Sequence, residues 1–279
     1  MPSTLTLLTD FGTRDAYVGA LRGVIASLAP GVPVFDLTHE IARQDVMEAA
    51  FVLRGAYGYF PEGTVHLAVV DPGVGTERRA IALRARGHTF VGPDNGLFAL
   101  VLGEHAPDAL VVLDRPAAWR TATPHPTFHG RDIFAPVAAH LAAGASLEDV
   151  GTPVDSLRVL RWTLPITGAD GIRGRVVHVD RYGNAVTNVE GAVLLRSLNG
   201  RALRTVSGSA IVRGLSRTYA DVEPGDPLVL VGSAGLVEVS VRNGHAATLL
   251  GLERGSPVSF DFFDAARPSE AVARSSEVR

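Results

Sequence analysis

Apolar and polar positions over the first 165 residues alternate between two rhythms. Short apolar runs at 5–9, 33–37 and 64–70 read as buried strands. Between them lie two stretches of helical period. Over 15–28, Tyr17, Val18, Leu21, Val24, Ile25 and Leu28 share one face; over 45–59, Asp45 stands at the cap with Glu48 three residues on. Strand, helix, strand, helix, strand predicts right-handed crossovers and a mostly parallel sheet. Further strands are expected at 80–85, 88–92 and 110–113, with helices near 96–103 and 132–143.

Beyond residue 171 the helical period is gone. Runs at 171–189, 202–206, 210–212, 227–231, 236–241 and 257–260 are strand-like and divided by Gly, Asn, Asp and Pro, the spacing of a small barrel or sandwich. The fold class is therefore α/β, with an N-terminal α/β domain over 1–168 and a C-terminal all-β, barrel-like domain over 169–264. The boundary falls within 165–171. Residues 265–279 alternate charges without an apolar face and read as a flexible tail.

Composition narrows the chemistry. The chain has 279 residues, about two domains at roughly 150 residues each, and 46% of them are hydrophobic, enough for a proper core. It contains no cysteine and no lysine; all 26 basic residues are arginine. Those zeros exclude a thiol nucleophile, a cysteine-based metal site, a Schiff base and a lysine-dependent phosphate loop. A net charge of −3 gives no broad footprint for nucleic acid or anionic lipid. No segment has the length of a membrane helix and the first residues lack a basic leader, so a cytoplasmic protein is expected.

In a parallel sheet, ligands bind beyond the carboxyl ends of the strands. Three polar clusters fall there: Thr9-Asp10-Phe11-Gly12, Thr38-His39 and the loop from Asp71 to Thr76. Asp10 suits the two vicinal hydroxyls of a ribose, or else caps the helix beginning near Asp15 or braces its own turn; position alone favours neither. Asp71 opens a tight Pro72-Gly73-Val74-Gly75 loop whose glycines let something approach the main chain closely, and Arg78, seven residues on, is able to fold back to it; the plain alternative is an Asp–Arg bridge closing the loop. His129 precedes the helix at 132–143, where the dipole favours a neutral imidazole and hence a base. His39 shares a functional edge, whereas His66 and His140 read as structural. The segment 180–184 reads as a polar hairpin turn, and 232–235 and 241–244 are also turn-like. No metal-ligand spacing is present, so no metal and no cofactor are expected.

Taken together these segments carry a resemblance. LLTDFGTRDAYVGALRG, VVDPGVGTERR, VGPDNGLF, PTFHGRDIFAPVAAHLA, VDRYGNAVTN and VGSAGLVEVSVRNG run in order across residues 4–250. The sequence resembles the S-adenosyl-L-methionine hydroxide adenosyltransferases (SAM hydrolases), relatives of the fluorinase and chlorinase enzymes. The resemblance implies a homotrimer whose substrate lies between the N-domain of one subunit and the C-domain of the next. It implies attack of water or hydroxide on the ribose C5′ of S-adenosylmethionine, giving adenosine and L-methionine. The family's Asp–Arg–His set falls on Asp71, Arg78 and His129, and its ribose-holding aspartate on Asp10. Asp180 matches a carboxylate near the methionine ammonium, Tyr182 and Asn184 lie in the adenine-side segment, and Ser233 matches a methionine-end contact.

The departures are informative. The fluorinase has a tyrosine at the position of Asp71 and a serine at that of Gly130, so the carboxylate and glycine here argue against halide capture. Only residues 80–90 separate the DPGVG loop from VGPDNG, without the halogenases' extra loop. Ala234 replaces an arginine that holds the methionine carboxylate, leaving that role to a backbone donor or Arg242. Three alternatives stay open: a halide-using sibling, a metal-dependent phosphohydrolase built on Asp10, Asp71 and His129, and a non-catalytic nucleoside sensor.

Overall fold

The computed structural model describes residues 3–103, 105–158 and 164–264. These gather into two compact units, one running to Leu164 and the other from Pro165 onward. The expected tail at 265–279 lies outside the described residues.

Unit 1 comprises β1 (Leu5–Thr9), α1 (Tyr17–Leu28), β2 (Val34–Thr38), α2 (Val46–Ala56), β3 (Val65–Val69), β4 (Ala80–Ala85), β5 (His88–Pro93), α3 (Ala99–Leu102), β6 (Ala109–Val112), α4 (Ala135–Ala142), α5 (Leu147–Val150) and β7 (Thr152–Pro153). Its sheet has the order β2-β1-β3-β5-β4-β6-β7. One apolar cluster packs α1 and α4 against the sheet and includes Leu21, Ile25, Phe134 and Val137; a second packs α2 and α3 and includes Leu53, Phe90 and Phe98. Asp45 caps α2 by accepting the Glu48 N–H at 2.9 Å, as the spacing predicts.

The sheet is parallel through β2, β1, β3 and β5, and antiparallel from there to β7. The expectation of a mostly parallel sheet thus describes its first four strands. Strands β4 and β5 are separated by Arg86 and Gly87 alone, with φ of 55° and 77°. A two-residue turn with both residues left-handed is a hairpin connection, and a hairpin can only be antiparallel.

Unit 2 comprises β8 (Ile166–Gly168), β9 (Gly171–Val179), β10 (Ala185–Glu190), α6 (Gly191–Leu198), β11 (Ala202–Ser207), β12 (Ala210–Arg213), β13 (Pro227–Val231), β14 (Leu236–Val241), α7 (Ala246–Leu250) and β15 (Pro257–Phe263). The antiparallel order β12-β11-β15-β9-β10-β14-β13 nearly closes on itself, with a bridge from Ser216 to Leu230 joining the end of β12 to β13. Ile172, Val189, Val229, Val239 and Phe260 fill the interior. Two short helices, α6 and α7, interrupt the expected run of strands; α6 ends at Asn199 in the left-handed conformation, which terminates the helix.

Candidate functional site

Strands β1 and β3 are parallel neighbours in register, Thr9 opposite Val69, so the chain leaves both at one edge of the sheet. Asp10 and Asp71 emerge there together. With Phe11, Tyr17, Phe128 and His129 they line a cavity of about 350 Å³. Asp10 Oδ2 accepts the Gln44 N–H at 2.8 Å, which ties the loop after β1 to the start of α2 and does not cap α1.

The loop after Asp71 turns through Gly75 at φ 77°, and a Cβ there would stand 2.7 Å from the Pro126 carbonyl oxygen. The close approach suggested by the glycines is therefore that of the protein's own 125–129 segment, which delivers His129. That segment is anchored by Asp132, fully buried, which accepts from Arg120 Nε at 2.6 Å, from Arg131 Nε at 2.8 Å and from the His125 N–H at 2.9 Å. The hydrogen bonds from Arg131 above all hold its carboxyl well below the usual carboxylate range. His129 precedes a π turn, Gly130–Phe134, that leads into α4, so the expected helix at 132–143 begins as a wider coil.

Arg78 joins the pieces. Its Nε donates to Asp71 Oδ1 at 3.0 Å and its Nη2 to Asp71 Oδ2, while Nη2 also stands 3.2 Å from His129 Nδ1. The two side chains of the ion pair are 4% and 6% exposed. Burial pushes the Asp71 carboxyl above its ordinary value, and Arg78 pulls it back in part. Burial first, then the Arg78 charge, hold His129 below its ordinary value. The direction is the one expected for a helix terminus, but the causes are desolvation and a neighbouring cation. A guanidinium can only donate, so Nδ1 is the acceptor and a neutral ring carries its proton at Nε2.

The other candidate histidines serve the fold. His39 is buried, with Nδ1 2.8 Å from Thr9 Oγ1 and Nε2 3.1 Å from Asp36 Oδ1 without the alignment of a hydrogen bond. It braces β1 against β2 and does not line the cavity. His66, as expected, is structural: its ring bonds Thr6 Oγ1 at 2.7 Å and His88 Nδ1 at 3.2 Å, and burial followed by His88 lowers it to about 3.

In unit 2 the hairpin turn after β9 presents Asp180, Tyr182 and Asn184 to a cavity of about 710 Å³, lined also by Tyr219, Ser233, Glu238 and His245. Asp180 Oδ1 accepts the N–H groups of Tyr182 and Asn184, each at 2.9 Å, and Oδ2 accepts Asn184 Nδ2 at 2.9 Å. Gly183 has φ 86° and its Cβ would stand 2.3 Å from the His245 ring, so the turn packs directly on the start of α7. Arg242 is not among the lining residues; its Nη1 donates to the Val222 carbonyl at 2.6 Å.

Two groups escaped the reading of the sequence. Phe11, Tyr17 and Phe128 form an edge-to-face trio with centroids 5.4–5.9 Å apart, walling the first cavity. Tyr17 reads as core from its helical period, yet it is 51% exposed. Tyr219 and Glu238 join the second cavity, and the signal for Glu238 was a lone acid inside the apolar run of β14.

Comparison with known proteins gives one family over both units. The model described as SAM hydroxide adenosyltransferase N-terminal domain matches residues 5–151, and that described as the C-terminal domain matches 174–259. A protein of Thermus thermophilus named (R)-S-adenosyl-L-methionine hydrolase is 44% identical, over 90% of this chain and 96% of that one. One of the same name from Salinispora arenicola is 46% identical, over 90% and 95%. Among solved structures, an uncharacterized conserved protein from Thermotoga maritima superposes with a TM-score of 0.82 at 35% identity, covering 92% of this chain and 100% of the other.

Proposed function

The chain belongs to the SAM hydroxide adenosyltransferase family, and from that premise we propose that it hydrolyses S-adenosyl-L-methionine to adenosine and L-methionine. The observation that supports this most directly is the buried chain of contacts from Asp71 through Arg78 to His129, whose two ends line the first cavity. The sulfonium is already a cationic leaving group, so the reaction asks for no acid on the sulfur side and no metal. What it asks for is an oxygen nucleophile, in line with the C5′–S bond, in a site short of water.

In this mechanism His129 Nε2–H holds the attacking oxygen and Asp71 takes its proton as the C5′–O bond forms and the C5′–S bond breaks. Arg78 keeps the Asp71 carboxylate and the His129 ring in register and offsets negative charge developing on oxygen. The tautomer set by Arg78 supports Asp71 over His129 as acceptor, and so does a carboxyl pushed up by burial. Asp10 Oδ1 remains for the ribose hydroxyls. Asp180, Tyr182, Asn184 and Ser233 bind the substrate from the second cavity, and Arg242 joins them on exchanging its bond to Val222. The working assembly in this reading is a homotrimer, each site using unit 1 of one copy and unit 2 of the next.

Product analysis by mass spectrometry in heavy-oxygen water tests the reaction. Label should enter the adenosine 5′-hydroxyl, in excess chelator and without halide. Unlabelled adenosine would rule out direct attack by water. Because the relatives are named for the R form, the sulfonium epimers are tested separately, with R the preferred substrate. Mixing inactive unit-1 and unit-2 variants should restore part of the activity if sites are shared between copies; no recovery on mixing would contradict shared sites.

A further inference from the structure

None of the residues assigned to substrate or reaction comes from the segment VGPDNGLF, residues 91–98. Two consecutive residues of it, Asp94 and Asn95, nevertheless grip both ends of the loop that carries Asp71 and Arg78. At the start of that loop, β3 is paired with β1 as far as Val69 and with β5 as far as Leu67. Val70 lies beyond both ladders and is fully buried, where an unpaired carbonyl would be costly. Asn95 Nδ2 donates to that carbonyl at 2.8 Å, while Asn95 Oδ1 accepts the Leu97 N–H at 3.2 Å, which fixes the direction of the amide.

At the other end, the Asp94 N–H donates to the Arg79 carbonyl at 3.0 Å. Asp94 Oδ2 accepts Arg79 Nε at 2.8 Å and Nη2 at 2.5 Å, and Oδ1 accepts the Arg158 N–H at 2.7 Å. Arg79 Nη2 also donates to the Ser156 carbonyl at 2.7 Å. Asp94 is 4% exposed, so both its oxygens are satisfied where water is scarce. Gly92 brings the turn within reach: a Cβ there would stand 2.3 Å from the Ala68 carbonyl oxygen, so β5 lies against β3 more closely than a side chain allows. Asp71 and Arg78 each stand one residue inside a gripped position. The bonds within the loop are local, Val74 N–H to the Asp71 carbonyl and Thr76 N–H to the Gly73 carbonyl, each at 3.2 Å. They shape the loop, and residues 94–95 set where its ends stand.

We propose that Asn95 and Asp94 are positioning residues that hold the Asp71–Arg78 pair against His129. The effect on turnover rests on the hydrolysis reading given above; the effect on the geometry does not.

Two variants test this. Asn95→Ser keeps an acceptor for the Leu97 N–H but cannot reach Val70. Asp94→Asn keeps an acceptor for the Arg158 N–H and removes the ion pair with Arg79, whose side chain is 36% exposed and open to water. Each should lower kcat about 10- to 100-fold while KM for S-adenosylmethionine stays within about twofold, because the reacting groups shift and the binding groups do not.

The second readout needs no turnover. It is the titration of His129, followed by NMR of protein labelled in the histidine rings, with the resonance identified by its loss in His129→Gln. Arg78 is the largest charge acting on His129, ahead of Asp71 and Asp132, and it lowers the ring where they raise it. A pair drawn away should therefore let the titration move up. Removing the Asp94 charge would by itself move it down, so an upward shift in Asp94→Asn reports displacement. In a folded variant, an unmoved kcat, a change confined to KM, or no upward shift of His129 overturns the proposal. If one variant does not fold, the other carries the test with the same outcomes. If the wild type does not consume S-adenosylmethionine, the hydrolase reading has failed instead, and the titration alone decides: an upward shift supports the positioning role and its absence overturns it.

Discussion

In unit 1 the buried acid Asp71 lies against a guanidinium that also reaches an imidazole; in unit 2 the buried acid Glu238 lies against a phenol and near a second carboxylate. The first arrangement is complete before any ligand arrives, because Arg78 satisfies both oxygens of Asp71. The second is not, because among the described residues only one oxygen of Glu238 has a hydrogen-bond partner. Groups fixed in advance suit the handling of charge during a reaction, when reorganisation would be costly. A group left unsatisfied suits recognition, since the ligand supplies the missing partner. Within one chain, the same residue class is thus placed for two purposes by what stands beside it.

The largest effect expected from breaking this contrast is at Arg78. Arg78→Ala leaves Asp71 as an uncompensated buried charge, and about 3–5 kcal/mol of stability should be lost. Urea unfolding followed by tryptophan fluorescence reports on unit 1 through Trp119, which packs against the cluster of α1 and α4. Adding Asp71→Asn should recover much of the loss, and a double variant no more stable than the single one would show that the pair is not coupled. Turnover should fall about 10²- to 10⁴-fold in Asp71→Asn and in His129→Ala, the usual range for a lost acid–base group. Near wild-type rates in both would remove the catalytic assignment.

Acid should separate the units next. His66, His88 and His129 all have folded values below the ordinary one, burial being the main cause in each. As pH falls through about 6.5 the unfolded rings take protons that the folded rings refuse, so stability drops; for His66 the loss runs from about 6.5 down to about 3. The slope for one such ring is at most about 1.4 kcal/mol per pH unit. Asp71 and Glu238, with folded values raised by burial, have the opposite sign: their neutral forms favour the fold at low pH, and that contribution is lost as pH rises through the folded value. Unit 1, with three lowered histidines against one raised acid, should therefore lose stability between pH 6.5 and 5, as read from urea midpoints. A midpoint that rises on acidification would contradict this balance.

The smallest effect is expected at the uncompensated acid. Glu238→Gln should leave stability, followed by Tm, unchanged or raise it slightly, by no more than about 1 kcal/mol, since it removes a buried charge with no cationic partner among the described residues. A large drop in Tm would mean that Glu238 is compensated in the free protein, and the contrast between the cavities would fail.

Much of this was legible in the sequence where local chemistry decides. The helical turns of 17–28, the cap at Asp45, the hairpin of 80–85 with 88–93, and the polar turn at 180–184 all rest on contacts close along the chain. The antiparallel half of the first sheet was also written there, in the two residues between 85 and 88, but the βα rhythm before it outweighed that signal. What the sequence leaves open depends on distant neighbours. His39 and His129 look alike as histidines at strand or helix ends; one meets Thr9 and Asp36, the other Arg78. Arg242 stands in a turn-like segment, and only the fold shows its guanidinium donating to the Val222 carbonyl, twenty residues back.

By itself, then, the sequence determined the α/β and all-β halves, the edge at which Asp10 and Asp71 emerge, and a chemistry limited to carboxylate, imidazole, guanidinium and hydroxyl groups. Hydrophobic period, turn residues and composition are properties of the chain alone, and no fold is needed to read them. Only the tertiary structure decided which acid has a partner. Charge compensation depends on a few ångströms between residues as far apart as Arg78 and His129, or Tyr219 and Glu238, and no local pattern encodes such a distance.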